Sequence, residues 1–288
     1  MPPQTLSQIR AMLEERGLAP KKSLGQNFLI DQNLIAKLVS ASGVGAGDLV
    51  LEVGPGTGTL TRALLELACD LVACELDAGL ARLLHETIEP EFPDRFTLIE
   101  GDCLASKREV NTDVVRALGE RSFRLVANLP YQAATPLMLA LLTQHERCAS
   151  LHVTIQKEVA DRLLASPGSK AYGTISVVAQ ALASVERVAT LPPECFWPRP
   201  DVTSAMISIT RLERPLVPGG VSEWSRFASV VQELFASRRK QLGAAIKRAA
   251  PRPIELPEGV SVSDRVESLS PARIVALARA IEEAGKAR

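Results

Sequence analysis

Cysteine is scarce and shows no pairing pattern. Cys69, Cys74, Cys103, Cys148 and Cys195 are odd in number and lack any Cys-x-x-Cys spacing, which argues against a disulfide frame or zinc site and for reduced thiols. Histidine is scarcer: His85, His145 and His152 stand apart without ligand spacing, so no metal is expected. With 18 glycines and 19 prolines in 288 residues, collagen-like and broadly disordered classes are excluded. No apolar run reaches the roughly 20 residues of a membrane-spanning helix. Residues 1–17 thread charges through an amphipathic helical pattern, unlike the apolar core of a signal peptide, and a cytoplasmic location is expected. Charge of one sign is also missing: 33 basic side chains face 33 acidic ones. A nucleic-acid partner then requires cations gathered on one surface.

What is present is a sequence of strand-end signals. Val50-Leu51-Glu52-Val53-Gly54-Pro55-Gly56-Thr57-Gly58-Thr59-Leu60 reads as a buried strand, a glycine-rich turn and a helix start. Alternate glycines allow a tight turn and close backbone approach to a ligand, as at the nucleotide pocket of a doubly wound α/β domain. A dinucleotide fingerprint needs a third glycine where Thr59 stands, and a phosphate loop needs Gly-Lys-Ser/Thr. Gly-x-Gly-x-Gly after an acid is instead the pattern of S-adenosylmethionine-dependent methyltransferases. Glu75 ends the next apolar run, 21 residues beyond Gly54, where a carboxylate meets a ribose diol. Asp102 follows a third run, suited to an adenine amino group. Taken singly, the turn also fits a structural role, and the acids also fit solvated strand ends.

Leu125-Val126-Ala127-Asn128-Leu129-Pro130-Tyr131 follows about 70 residues after the turn, as the end of a fourth strand. An adenine exocyclic nitrogen is a poor nucleophile because its lone pair is delocalised. The Asn128 side-chain carbonyl can accept one of its N–H groups, and the Leu129 backbone carbonyl, with Pro130 fixing the turn, the other. Both bonds favour a pyramidal nitrogen and stabilise developing charge. Tyr131 offers an aromatic face. An Asn-Pro turn that simply ends a strand is the plainer alternative.

With these motifs the chain resembles the bacterial small-subunit (16S) ribosomal RNA adenine N6,N6-dimethyltransferases, the KsgA/RsmA family. The resemblance begins at Lys21-Lys22-Ser23-Leu24-Gly25-Gln26-Asn27-Phe28-Leu29. It continues through Val153-Thr154-Ile155-Gln156-Lys157-Glu158, Tyr172-Gly173-Thr174-Ile175-Ser176 and Phe196-Trp197-Pro198-Arg199-Pro200. It ends with Phe235-Ala236-Ser237-Arg238-Arg239-Lys240 and Arg265-Val266-Glu267-Ser268-Leu269-Ser270. It implies S-adenosyl-L-methionine as cofactor, with Asn27, Leu29 and Gly54 at its methionine end, Gly56 in the binding turn, Glu75 on the ribose and Asp102 on the adenine ring. Asn128 then lies between cofactor and substrate. It further implies dimethylation of two adjacent adenines in the 3′-terminal hairpin loop of 16S rRNA, within a small-subunit precursor. Gln132-Ala133-Ala134 departs from the family's Asn-Ile-Ser type run, and residues 106–121 are longer and more charged than its pattern. Alternatives with the same core are a 23S rRNA adenine methyltransferase of macrolide-resistance type, an assembly factor with incidental catalysis, and a small-molecule or protein methyltransferase. Leu129 and the Arg265 to Ser270 block favour the small-subunit branch.

The expected fold is α/β: a Rossmann-like class I methyltransferase with a mostly parallel seven-stranded sheet, an antiparallel terminal hairpin and a small all-α C-terminal domain. Residues 1–45 are expected to form a helical arm and cofactor lid, 46–212 the methyltransferase domain, and 213–288 a helical RNA- or ribosome-binding domain. Arg238, Arg239, Lys240 and Lys247 are the candidate RNA contacts, although a charged helix face is also compatible with simple solvation. The protein is expected to act as a monomer.

Overall fold

The computed structural model describes residues 4–106 and 108–286; expectations touching residues 1–3, 107 and 287–288 lie outside the described residues. Seven strands form the main sheet: β1 (Leu49–Val53), β2 (Asp70–Glu75), β3 (Phe96–Glu100), β4 (Phe123–Asn128), β5 (Cys148–Gln156), β6 (Ala183–Leu191) and β7 (Ser204–Arg211). Their spatial order is 3-2-1-4-5-7-6. β1 pairs in parallel with β2 and β4, β2 with β3, and β4 with β5. Central parallel strands are covered on both faces and so read as apolar runs; every residue of β1 is buried. The edge strand β3 instead mixes buried Phe96 with exposed Thr97 and Glu100. β6 and β7 are neighbours joined by a 3-10 turn and a two-residue strand, with no helical crossover.

Helices α1 (Leu6–Glu14) and α2 (Gln32–Ser42) precede β1; α3 (Thr59–Leu65), α4 (Ala78–Thr87), α5 (Thr112–Leu118) and α6 (Tyr131–Gln144) alternate with β1 to β5; and α7 (Lys157–Leu163) and α8 (Thr174–Leu182) lie between β5 and β6. Asp31, Asp77 and Asn111 cap α2, α4 and α5 by accepting orphan backbone N–H groups, the role for which short polar side chains are favoured. Ile35 and Leu38 of α2, Leu60 and Leu64 of α3, and Leu84 of α4 join Val50, Leu71 and Val126 of the sheet in one buried core. Residues 106–121 contain the end of a small two-stranded ribbon (Leu104–Ser106 with Glu109–Val110), followed by α5.

The chain divides into two compact units. The first comprises Met1–Ala140, Arg147–Ala160 and Glu186–Ile209; the second comprises Leu141–Glu146, Asp161–Val185 and Thr210–Arg288. The segment 161–185 therefore groups with the C-terminal helices α9 (Val221–Phe235), α10 (Leu242–Ala249) and α11 (Pro271–Lys286). Within this second unit Tyr172 packs edge-on to Phe235 and donates its hydroxyl to the Leu269 carbonyl at 3.0 Å. The Arg211 guanidinium lies 4.5 Å from the Trp224 ring centroid and donates to the carbonyls of Leu141, Leu142 and His145. Ser270 accepts the Arg273 N–H at 3.4 Å ahead of α11, as its Ser-Pro start predicts.

Candidate active site

In-register parallel pairing aligns the carboxyl ends of β1 to β4, and with them Gly54, Glu75, Asp102 and Asn128. Val53 lies beside Cys74 and Glu75 beside Glu100. β1 and β4 are neighbours whose onward connections run in opposite directions, β1 to β2 and β4 to β5, the switch point at which open α/β sheets bind ligands. Gly54, Gly56 and Gly58 adopt left-handed φ of 71°, 61° and 79°, a region that resists a Cβ. Space is short as well: a Cβ on Gly54 would meet Pro130 at 3.2 Å, and one on Gly56 would meet the Phe28 ring at 2.8 Å. The glycine turn, the Asn-x-Pro-Tyr turn and Phe28 of the N-terminal arm therefore converge.

Glu75 is buried, and its two carboxylate oxygens accept the Gly56 and Asp77 N–H groups at 3.0 and 2.9 Å. Burial pushes its pKa up, while these backbone donors hold it down. An ionised carboxylate has about four acceptor sites, so this geometry retains acceptors for a diol. Asp102 is exposed, and its carboxylate accepts the Leu104 N–H at 2.9 Å. Glu52 is buried with Oε2 unpartnered, and burial raises its pKa to about 8. Cys103, beside Asp102, is buried, which raises its thiol pKa and fits an inert thiol.

The short strand Phe28–Leu29 of the N-terminal arm pairs antiparallel with Phe196–Trp197. Gln4 ties the arm to the glycine turn by accepting the Thr59 hydroxyl at 2.8 Å. Lys21 and Gln26 both donate to Asp77 at 3.0 Å. Burial opposes ionisation of Asp77, but these hydrogen bonds outweigh it and hold the carboxyl below the usual range. The Asn27 carbonyl accepts the Asn128 side-chain N–H at 2.9 Å. A carbonyl can bond only to the nitrogen end of that amide, so Asn128 is turned with Oδ1 away from Asn27. Among the described residues, Oδ1 has no hydrogen-bond partner. Leu129 is buried and donates its N–H to Thr154 at 3.1 Å, while its carbonyl accepts no backbone bond among the described residues. Pro130 packs on Gly54, and the Tyr131 hydroxyl bonds Ser204 at 2.8 Å, fixing the ring. Ser204, Phe28 and the Asp77 anchor escaped the sequence reading. Phe28 stands in a family-like block, but only folding brings it and Ser204 to these partners.

The carboxyl edge of the sheet thus gathers the glycine turn, Glu75 and the oriented Asn128 amide. A family model described as ribosomal RNA adenine dimethylase matches residues 17–283. The chain belongs to this family. It is accordingly an rRNA methyltransferase. A Ribosomal RNA small subunit methyltransferase A of Bifidobacterium longum is 40% identical, with 96% of this chain and 93% of the relative covered. One of the same name from Rhodococcus opacus is 40% identical over 94% and 92%, and one from Magnetococcus marinus 39% over 94% and 95%. A dimethyladenosine transferase structure from Plasmodium falciparum superposes with TM-score 0.69 at 20% identity, covering 90% of this chain and 98% of that one. The 23S rRNA methyltransferase ErmE gives 0.65 at 23%, covering 89% and 100%. At such identities these two structures support the fold alone.

The enzyme's candidate RNA contacts lie in the second unit and separate into two kinds. Arg239, Lys240 and Lys247 are exposed and have no ion-pair partner among the described residues. Arg238 is committed: it donates to the carbonyls of Tyr172 and Lys170 at 3.2 and 3.1 Å and pairs with Glu267 at 3.4 Å. Among the described residues no cluster of three or more His, Cys, Asp or Glu side chains could hold a metal ion. No described helix is long and apolar enough to cross a membrane.

Proposed function

We propose that the enzyme dimethylates N6 of two adjacent adenines in the 3′-terminal hairpin loop of 16S rRNA, using S-adenosyl-L-methionine, within a small-subunit precursor in the cytoplasm. The single observation that carries this reading is the oriented Asn128 amide, whose oxygen is left to accept an amino N–H. The donor set fits the cofactor: Glu75 retains acceptors for a ribose, and the glycine turn leaves the backbone bare beside it. The cofactor supplies a sulfonium-bound methyl group, already strongly electrophilic.

The remaining work falls to the chain. Asn128 Oδ1 and the Leu129 carbonyl would accept the two amino N–H groups before the first transfer and the one that remains before the second, holding the nitrogen and stabilising charge as it develops. The methylated, cationic nitrogen then loses one proton to solvent at each transfer. Tyr131, fixed through Ser204, stacks on the unstacked base, whose extrusion costs about a few kcal/mol. Asn27 and Leu29 would hold the methionine end of the cofactor, and Asp102 its adenine ring. Residues 213–288 carry the ribosome contacts, through Arg239, Lys240 and Lys247, and the enzyme acts as a monomer.

The test uses labelled cofactor with purified small and large ribosomal subunits from cells lacking the gene. Dimethyladenosine in small-subunit RNA is expected. Asn128→Ala is expected to lower turnover by about 10²–10³-fold, the scale for one preorganised polar group at developing charge, while particle binding persists. Labelling of the large subunit instead, or a variant active at the parent rate, overturns the reading.

A further inference from the structure

In the segment that leads into Phe28–Leu29, the Gln26 amide is used at both ends. Gln26 Oε1 accepts the Lys21 N–H at 2.7 Å, and Gln26 Nε2 donates to Asp77 at 3.0 Å. Asp77 is itself rigidly held. It caps α4 through the Gly79 N–H at 2.9 Å, receives Lys21 Nζ at 3.0 Å, and donates its own N–H to Glu75. Gln26 thus closes the loop from Lys21 onto a fixed point of the sheet edge. The next residue is Asn27, whose side chain donates to the Gly25 carbonyl at 3.1 Å and whose carbonyl receives Asn128. Gly25 turns the chain there with φ of 65°.

We propose that Gln26, clamped between the Lys21 N–H and the Asp77 carboxylate, is a positioning residue for methyl transfer, acting through the Asn27 carbonyl to orient the Asn128 amide. The proposal rests on the reading of Asn128 as the group that meets the target adenine. The Asn27 carbonyl holds the nitrogen end of that amide and so leaves the oxygen end for the pocket. If it moves, Asn128 is free to rotate and present Nδ2, a donor, to an amino group that is also a donor. Misplacement of a reacting geometry by about 1 Å costs up to about 100-fold in rate.

Gln26→Glu keeps the acceptor toward Lys21 and sets a carboxylate against Asp77. It is expected to lower kcat by about 10- to 100-fold and to speed trypsin cleavage at Lys21-Lys22, a reading of order in this segment that needs no turnover. Adding Asp77→Asn exchanges donor and acceptor: the introduced carboxylate accepts both the Lys21 N–H and the introduced amide. The pair is expected to recover most of the lost kcat and slow cleavage again. In an Asn128→Ala background Gln26→Glu is expected to cost less than about threefold, because coupled residues are non-additive. Should Gln26→Glu cost the same factor with and without Asn128, or should the exchange rescue neither rate nor cleavage, the positioning role is wrong while the function stands. Should Asn128→Ala turn over at the parent rate, the assignment of Asn128 fails first and Gln26 falls with it.

Discussion

Replacing Glu75 with alanine removes a proposed ribose acceptor and two structural bonds at once, and the two losses can be separated. The Gly56 and Asp77 N–H groups, bonded at 3.0 and 2.9 Å, would be left without partners beneath the glycine turn. An orphaned buried donor costs about 1–3 kcal/mol, so folding stability should fall by roughly 2–6 kcal/mol, against a typical total of about 5–15 kcal/mol. Loss of bonds from a charged acceptor to the ribose should weaken cofactor binding by about 1.5–3 kcal/mol, roughly 10- to 150-fold in Kd. Glu75→Gln keeps an acceptor for one N–H but turns an NH₂ group toward the other, so it should lie between the parent and the alanine variant in both measures. Denaturant unfolding gives the first quantity. Calorimetric titration with S-adenosylmethionine, at a temperature where each variant is folded, gives the second. Unchanged affinity with reduced stability would make Glu75 a purely structural brace of the turn. Unchanged stability would refute the reasoning about the two backbone donors.

Changing Arg239, Lys240 and Lys247 together to alanine should lower the salt slope of particle binding by up to about three, near one for each lost phosphate contact, and leave cofactor affinity alone; an unmoved slope marks a solvated face. Arg238→Ala should instead reduce the unfolding temperature, since its guanidinium ties Tyr172, Lys170 and Glu267 together. Gly56→Ala should destabilise the turn and abolish tight cofactor binding, because its Cβ would stand 2.8 Å from the Phe28 ring at a φ of 61°; calorimetry showing parent affinity would contradict that contact. Glu52 has its folded pKa raised by burial from 4.5 to about 8. Between those pH values the folded form keeps a proton that the unfolded chain has released, so this contribution to stability, complete below pH 4.5, is lost as pH rises toward 8. Glu52→Gln should flatten stability across that window, and an identical pH profile in unfolding experiments would show that the carboxyl does not titrate there.

The strand ends and the identities of Gly54, Glu75, Asp102 and Asn128 were legible in the sequence because each belongs to a local rule. An apolar run makes a central strand, a glycine admits left-handed backbone, and the residue after the run falls at the carboxyl edge of a parallel sheet. The parallel character of the sheet follows from repeated strand-and-helix steps in the same way, whereas its order, with β7 between β5 and β6, is decided only in the tertiary structure. What the sequence could not show was which groups are already occupied. The Asn128 amide is oriented by a carbonyl 101 residues away, Tyr131 is fixed by a serine 73 residues on, and Arg238, a candidate RNA contact by its place in a basic cluster, also binds backbone carbonyls 66 and 68 residues earlier. A hydrogen bond is a matter of tenths of an ångström between atoms brought together by separate elements. Periodicity and spacing specify those elements one by one, and only their packing decides which donor meets which acceptor.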